Sequence, residues 1–252
     1  MPDSDSVIRP NPLRIRCANH LLQQLSAEDA GLLRAALEPV QLEVGRLLYA
    51  PGQPVRHVYF VESGLVSIVG ANKGRRRMEV GMVGFEGMTS LETVLGAGLA
   101  AHEALVQSPG SALRLPSATL RDAAAQSCTL QEMLLRFVHA FMVRGSHAAI
   151  AAGRARIDER LSRGLLMWHD RIREDELFVT HEFLALLMGV RRQGVTVALH
   201  ELEGKGFIRS VRNRVRIIDR AGLERTANGF YGMPEEEYRR LFGEDLRAHQ
   251  AA

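Results

Sequence analysis

A short run of polar side chains in the C-terminal half has the chemistry needed to contact the edges of nucleic acid bases. Arg191, Arg192, Gln193 and Thr196 lie at the start of a segment whose apolar residues recur with helical spacing. When a helix enters the major groove with its N-terminal end foremost, arginine can pair with guanine and glutamine with adenine through two hydrogen bonds each. We therefore predict that these four side chains contact DNA bases.

Two helices and a strand pair are expected to hold these side chains in position. Thr180 is a good N-cap for a first helix, and Gly189 breaks that helix before a second one begins at about Arg191. Two strands, at residues 207–210 and 215–218, then flank a basic turn. A helix, a glycine-containing turn, a second helix and a strand pair in this order predict a winged helix-turn-helix.

Positive charge is concentrated on the same segment. The formal net charge of the 252 residues is only +3, but residues 186–220 carry eight basic side chains against three acidic ones. A phosphate backbone favours such a basic block. The alternative interpretation is a helical hairpin with a solvated basic face. In the preferred interpretation four residues contact the DNA backbone: Thr180, Arg212, Asn213 and Arg214.

The composition bears on redox state, membrane insertion and catalysis. With 46% hydrophobic and 24% charged residues, the chain is expected to be globular. Cys17 and Cys128 are far apart and cannot build a disulfide framework or a four-thiolate metal site, so a reducing cytoplasm is expected. The longest apolar stretch, residues 183–190, is too short to span a bilayer, and no membrane contact is predicted. Hydrolase and P-loop motifs are missing, so the chain is not expected to be an enzyme.

The N-terminal half has the pattern of a β-rich unit. Residues 1–19 are polar and are interpreted as an arm, and Ser26 caps a short helix. Between Val40 and Leu115, short β-branched and aromatic runs predict the strands of a barrel or sandwich. Turns are expected at Pro51-Gly52, Ser63-Gly64 and Lys73-Gly74. The predicted strands are residues 47–50, 58–61, 65–69, 78–80, 104–107 and 112–115.

From Leu130 onward, apolar or small residues alternate at spacings of four and three, which predicts a long helix with a heptad repeat. Such a helix either packs on the core of its own chain or forms a two-stranded coiled-coil dimer. The narrowing of the pattern to alanine favours the dimer, because small side chains let two backbones approach closely. Gly153 marks an expected hinge. The predicted dimer seam consists of Leu130, Leu134, Phe137, Phe141, Arg144, Ala148 and Ala151.

Two motifs resemble signatures of the Crp/Fnr family of bacterial transcription regulators. Residues 58–66, Val-Tyr-Phe-Val-Glu-Ser-Gly-Leu-Val, resemble its strand-turn-strand signature, and residues 189–196, Gly-Val-Arg-Arg-Gln-Gly-Val-Thr, resemble the start of its recognition helix. The likeness runs from Leu21 to Ala227. It implies an α+β chain with an N-terminal antiparallel, jelly-roll-like β-roll of the cyclic-nucleotide-binding type, a long dimerisation helix and a C-terminal winged helix-turn-helix.

The resemblance also implies an effector pocket. In relatives that bind cyclic nucleotides, a glutamate of a Gly-Glu motif holds the ribose, and an arginine shortly after it holds the phosphate. Glu86 matches that glutamate, but residues 89–104 contain no Arg or Lys. A phosphodiester would lack its charge-assisted partner there, so cyclic AMP is not the expected effector. The predicted pocket consists of Gly84, Glu86, Gly87, Met88 and His102.

Other departures from the family limit what can be transferred. The iron-sulfur branch needs an N-terminal cysteine cluster, which Cys17 alone cannot supply. No metal is predicted and no cofactor is identified. The best-known relatives carry glutamate where Gln193 stands and arginine where Val197 stands, so base reading should differ here.

These patterns divide the chain into five parts: an arm (1–20), a cyclic-nucleotide-binding-like sensor (21–128), a dimerisation helix (129–155), a winged domain (156–228) and a helical tail (229–252). The expected function is that of a cytoplasmic, effector-responsive homodimer that binds a two-fold symmetric site in double-stranded DNA. RNA polymerase is a candidate partner, and the small-molecule effector is unidentified. Two alternatives are open. One is a ligand-binding module that controls a protein partner instead of a promoter, and the other is a regulator that needs no small ligand, in which residues 81–98 have a structural role.

Overall fold

The computed structural model describes residues 15, 17–73, 76–172, 174 and 176–247. These residues form a β-rich N-terminal unit, a long helix, a winged unit and a C-terminal helix. The predicted α+β class and the order of its parts are confirmed. Within the described residues, no helix combines the length and the hydropathy needed to cross a lipid bilayer.

The N-terminal unit, here called the sensor, is built on an antiparallel sheet. Its strands follow the order β1-β5-β3-β4, and β2 also pairs with β5. The elements are α1 (His20–Gln23), α2 (Ala27–Arg34), β1 (Glu38–Leu42), β2 (Leu47–Tyr49), β3 (His57–Ala71), β4 (Arg77–Val83), α3 (Leu91–Val94), β5 (Glu103–Pro116) and α4 (Ser117–Gln126).

The prediction of a turn at Ser63-Gly64 is wrong. The two predicted strands on either side of it form the single strand β3, and the register with β5 shifts around Ser63 and Leu65. Gly64 has φ +79°, and a Cβ built on it would lie 2.6 Å from the carbonyl oxygen of Pro109. The glycine therefore allows a β-bulge and a close approach of two backbones. A bulge and a tight turn both need a residue that can adopt positive φ, so the same glycine is compatible with either. The turn at Pro51-Gly52 is confirmed, and Gly74 of the third expected turn lies outside the described residues.

The C-terminal end of the predicted arm belongs to the core of the sensor. Residues 1–14 and 16 lie outside the described residues, but Asn19 is fully buried and caps α1. Its Nδ2 donates to the carbonyl oxygens of Val61 and Gly87, at 2.7 Å each. The sensor therefore begins before residue 21, because this side chain joins two of its segments.

The long helix, α5 (Cys128–Arg154), lies along the sensor of its own chain. The heptad residues predicted for a dimer seam face the sensor of the same chain. Phe137 packs against Gly87, and Phe141 packs against Gly81. The fully buried side chains leave little surface for contact with a second chain. Buried within the chain are Leu130, Leu134, Phe137, Arg144 and Ala151, and Phe141 and Ala148 are partly buried.

The link between α5 and the winged unit lies slightly beyond the expected hinge. Gly153 is still inside α5, and the helix ends at Arg154. Ala155 has extended backbone angles, and the next helix, α6 (Ile157–His169), follows directly. The change of direction therefore occurs at residues 155–156.

The winged unit surrounds its own apolar core. Trp168 of α6 stacks on Phe183 at a ring-centroid distance of 5.4 Å. Helix α6 ends at His169. A strand that the sequence did not predict, β6 (Glu176–Phe178), completes a three-stranded sheet of order β6-β8-β7. The other elements are α7 (His181–Met188), α8 (Arg192–Gly204), β7 (Ile208–Val211), β8 (Arg214–Ile217) and α9 (Arg220–Thr226).

The C-terminal helix, α10 (Met233–Phe242), packs on the sensor side of the chain. Tyr238, Phe242 and Leu246 are buried with the core residues of the sensor and α5. The Tyr238 hydroxyl donates to the carbonyl oxygen of Glu86 at 2.7 Å and bonds His20 Nδ1 at 2.8 Å. Helix α10 therefore joins α1 and the segment around Glu86 through Tyr238.

Candidate nucleic-acid interface and effector site

The caps of α7 and α8 and the buried face of α8 determine which side chains of α8 are exposed. The Thr180 hydroxyl accepts a hydrogen bond from the Phe183 backbone N–H at 3.1 Å, which starts α7. Gly189, with φ +59°, ends it in the left-handed conformation. Arg191 is the N-cap of α8. One face of α8 is buried in the winged core, through Val195, Ala198, Leu199 and Leu202.

The opposite face of α8 carries the predicted base-contacting residues together at its N-terminal end. Arg191, Arg192 and Gln193 are exposed, and Thr196 is partly buried. Arg192 Nη1 lies 3.2 Å from Glu182 Oε1, and both side chains are more than 60% exposed, so this pair adds little stability. The Thr196 hydroxyl donates to the Arg192 carbonyl oxygen at 3.1 Å. The arginines can therefore turn toward a ligand at low cost.

The turn between β7 and β8 projects the predicted backbone contacts. Arg212 and Asn213 have φ values of 36° and 64°, as the two central residues of a tight hairpin turn require. Arg214 Nη1 donates to Glu176 Oε2 at 2.8 Å. All three residues are exposed at the tip or edge of the wing.

Two further arginines on the wing were not among the predicted contacts. Arg209 and Arg216 face each other across β7 and β8, and both are exposed. Both arginines add to the positive charge at the surface of the wing. The alternation of arginine with apolar residues along β8 could have identified Arg216. Val197, where the best-known relatives carry arginine, is also exposed on α8, at 57%.

Glu86 lies at the centre of a buried ion cluster. Its Oε1 accepts from Arg144 Nη1 at 3.0 Å and from Arg171 Nε at 2.7 Å, and its Oε2 accepts from the Gly84 N–H at 2.9 Å. Burial by itself would raise the pKa of Glu86, but the charges of Arg171 and Arg144 hold it below its ordinary value. The Glu86 carboxylate is therefore ionised, and both of its oxygens accept hydrogen bonds from groups of the same chain.

The residues predicted for the effector pocket are closely packed in this structure, and His102 does not lie with the others. Gly84, Glu86, Gly87 and Met88 are all buried. The Phe137 ring covers Gly87, and the Arg171 side chain covers Gly84. His102 lies elsewhere, beside Gly70 on β3. The buried guanidinium groups of Arg144 and Arg171 require a negative partner, and the Glu86 carboxylate supplies it.

The arrangement defines a class of protein. A β-rich sensor is joined by a long helix to a winged helix-turn-helix whose exposed helix start and wing are basic. These are the parts of a sensor-linked DNA-binding regulator. Among the described residues, no group of three or more His, Cys, Asp or Glu side chains could hold a metal ion.

Comparison with known proteins identifies the family. Residues 159–226 match the model of the Crp-like helix-turn-helix domain, and residues 39–127 match that of the cyclic nucleotide-binding domain. The chain belongs to the Crp/Fnr family and is a transcription regulator with these two domains. The members of this family are regulators that bind DNA, typically as dimers.

Individual relatives are similar over most of their length. A CRP-like cAMP-activated global transcriptional regulator of Mycobacterium tuberculosis is 27% identical over 228 residues, covering 82% of this chain and 96% of the relative. FixK2 from Bradyrhizobium japonicum has a TM-score of 0.67 and 17% identity, covering 75% of this chain and 96% of that one. The c-di-GMP responsive regulator CLP of Xanthomonas campestris has a TM-score of 0.61 and 17% identity, covering 76% and 99%. The two solved structures show a similar fold.

Proposed function

We propose that this regulator binds a two-fold symmetric site in double-stranded DNA as a homodimer, with α8 in the major groove. The observation that carries the proposal is the exposed cluster of Arg191, Arg192 and Gln193 at the start of a helix whose other face is buried. Thr196 contacts bases once its hydrogen bonds with the Arg192 carbonyl oxygen and His181 Nδ1 open. Thr180, Arg212, Asn213 and Arg214 contact phosphates. In the DNA-bound dimer the two recognition helices lie roughly 34 Å apart, one helical turn of DNA.

The dimer contact that we propose uses the outer face of α5. This face carries a second heptad pattern, in which all six residues are exposed. Leu135 and Met142 are 46% and 64% exposed, which is unusual for large apolar side chains on a helix that also has a buried face. The small residues toward its C-terminal end allow two helices to approach closely. This outer seam consists of Leu135, His139, Met142, Ser146, Ala149 and Gly153.

Replacing Met142 with glutamate is expected to convert the dimer into monomers, because a carboxylate would face its symmetry mate in an apolar seam. Size-exclusion chromatography with light scattering measures the mass directly. Leu99→Glu is a matched control, since Leu99 is 54% exposed on a sensor loop away from α5. A Met142→Glu protein that stays dimeric at micromolar concentration would contradict the outer seam.

We further propose that control through the sensor does not use cyclic AMP in the usual way. The M. tuberculosis relative is described as cAMP-activated, but here Glu86 is engaged by Arg144 and Arg171 and its surroundings are filled. An effector or partner that acts on the sensor would repack α5 and rotate the winged units about residues 155–156. The protein would work in the cytoplasm, and RNA polymerase is a candidate partner there.

Selection of genomic DNA fragments by the purified protein tests this function. The selection is run without nucleotide and with cyclic AMP, cyclic GMP or cyclic di-GMP. We expect enrichment of a two-fold symmetric motif, with no dependence on cyclic AMP. If no sequence is enriched under any condition, or if enrichment requires cyclic AMP, the corresponding part of the proposal is wrong.

A further inference from the structure

A cleft of about 200 Å³ lies where the sensor, the long helix and the winged unit meet. Strand β4 and helices α5, α6 and α7 form its walls. Its lining is mainly apolar and rich in methionine, and includes Met78, Met82, Ala148, Met167 and Leu184. The cleft is separate from the predicted effector pocket, because none of Gly84, Glu86, Gly87, Met88 and His102 lines it.

Polar groups of mainly one sign lie among these apolar side chains. They are Arg144, Arg160, Arg163 and Glu79. Nε of Arg144 and Nη2 of Arg163 are buried and have no hydrogen-bond partner within the part of the chain that the structure describes. A buried guanidinium N–H without an acceptor is unfavourable, so each such atom calls for an explanation. A bound anion would supply the missing acceptors.

The single carboxyl group in the lining is compatible with an anion. Burial raises the pKa of Glu79 to about 7, against the opposing effect of the hydrogen bond that its Oε2 accepts from the Ser67 hydroxyl at 2.6 Å. The charges of Arg163, Arg144 and Arg171 also act on Glu79 and favour its ionised form. Near neutral pH the group can therefore take up a proton when a second carboxylate arrives beside it.

We propose that this cleft binds a small monocarboxylate with an apolar body, whose carboxylate accepts hydrogen bonds from Arg163 and Arg144. A cleft of about 200 Å³ accommodates roughly six to ten non-hydrogen atoms. Methionine side chains can adapt to the shape of such a body. The inference rests on the proposed function, since it identifies the chemical class of the effector.

A ligand in this cleft would contact the sensor and the winged unit at the same time. Met78 of β4 already packs against the turn of the helix-turn-helix, because a Cβ built on Gly189 would lie 3.2 Å from its Sδ. Arg160, in the cleft wall, donates to the carbonyl oxygen of Met188 at the end of α7. Since α7 carries the turn into α8, occupancy of the cleft changes how α7 and the recognition helix after it are held against β4.

Calorimetric titration of the full chain with octanoate tests the site. Octan-1-ol and octylamine have the same alkyl chain and serve as the uncharged and cationic controls. Octanoate is expected to bind saturably, about ten-fold more tightly than octan-1-ol, because it adds charge-assisted hydrogen bonds. Octylamine is expected not to bind. No binding of octanoate, or equal binding of all three, would overturn the proposal.

Three substitutions separate ligand contact from general damage. Arg163→Gln is expected to weaken octanoate binding about ten-fold, whereas Glu79→Gln is expected to strengthen it at pH 8, because it removes a repelling charge. Ala148→Phe should abolish binding by filling the cleft, and Ala125→Phe on the exposed face of α4 is its matched control. The melting temperature of each variant checks folding. Unchanged affinity in Ala148→Phe, or a loss in Glu79→Gln, would contradict the site.

The failure of this inference can be distinguished from failure of the proposed function. A protein that enriches a symmetric DNA motif but does not bind octanoate overturns the cleft ligand alone. A protein that binds octanoate with the expected variant pattern but enriches no DNA supports the cleft and overturns DNA binding as its readout.

Discussion

Glu86→Gln is expected to lower the free energy of unfolding by about 3–5 kcal/mol. The carboxylate is 0% exposed and forms ion pairs with Arg144 at 3.0 Å and Arg171 at 2.7 Å. Both arginines are themselves buried. Removing the negative charge leaves Glu235, 3.8 Å from Arg171, as the remaining ion-pair partner of two buried guanidinium groups. This is much less favourable than losing an exposed pair. Urea unfolding, followed by the fluorescence of the single tryptophan, Trp168, measures the loss.

The control for this prediction is Glu132→Gln. Glu132 pairs with Arg136 on α5, but both side chains are more than half exposed. Its loss should cost less than about 1 kcal/mol. Glu235 is buried and pairs with Arg171 at 3.8 Å, so it belongs to the same cluster. The quadruple variant Glu86→Leu, Arg144→Met, Arg171→Met and Glu235→Gln should recover most of the stability, because all four charges are then removed together. A Glu86→Gln protein as stable as the Glu132→Gln control would mean that the buried cluster does not form in solution.

Arg192→Ala is expected to relax discrimination at one base pair in each half-site, at a cost of roughly 1–3 kcal/mol per half-site. The side chain lies at the start of α8 and is exposed, so the folded winged unit should be unaffected. Arg214→Ala is expected to weaken binding to all sequences alike, because a wing arginine contacts phosphate. Titration of a symmetric site and of single-base variants, at two or more salt concentrations, separates the two effects.

Salt dependence sharpens this comparison. Arg214→Ala should make the dependence of binding on salt less steep, by about one counterion per removed contact. Arg225→Ala is a suitable control, because Arg225 lies on α9 with 69% exposure and is not among the proposed contacts. Equal losses on every sequence for Arg192→Ala and Arg214→Ala would show that the base-contacting residue has been misassigned.

The winged unit could be predicted from the sequence because its signals are local. Thr180 caps the helix that follows it at once, and Gly189 ends that helix in a conformation that favours glycine. The apolar spacing of α8 identified its buried face correctly. Each of these signals acts over a few residues, so no knowledge of the rest of the chain is needed. The roles of the exposed arginines remain predictions.

The long helix illustrates what local patterns leave open. Its heptad repeat predicted the helix, and α5 is confirmed at Cys128–Arg154. The repeat could not determine which face meets a partner, because the helix carries two such patterns on different sides. Gly81 and Gly87, remote in sequence, admit Phe141 and Phe137 and so bury the apolar face in the sensor. The outer seam, with its exposed Leu135 and Met142, is the face that we propose for contact with a second chain.

By itself, the sequence determined the family, the order of the parts and the helix that presents Arg191, Arg192 and Gln193. Only the tertiary structure decided what surrounds Glu86. Its two partners lie 58 and 85 residues away along the chain, and no spacing rule connects them. Hydrogen bonds and caps form between near neighbours and leave a pattern in the sequence. Buried charge pairs and clefts depend on how distant elements pack, so they become visible only in the folded chain.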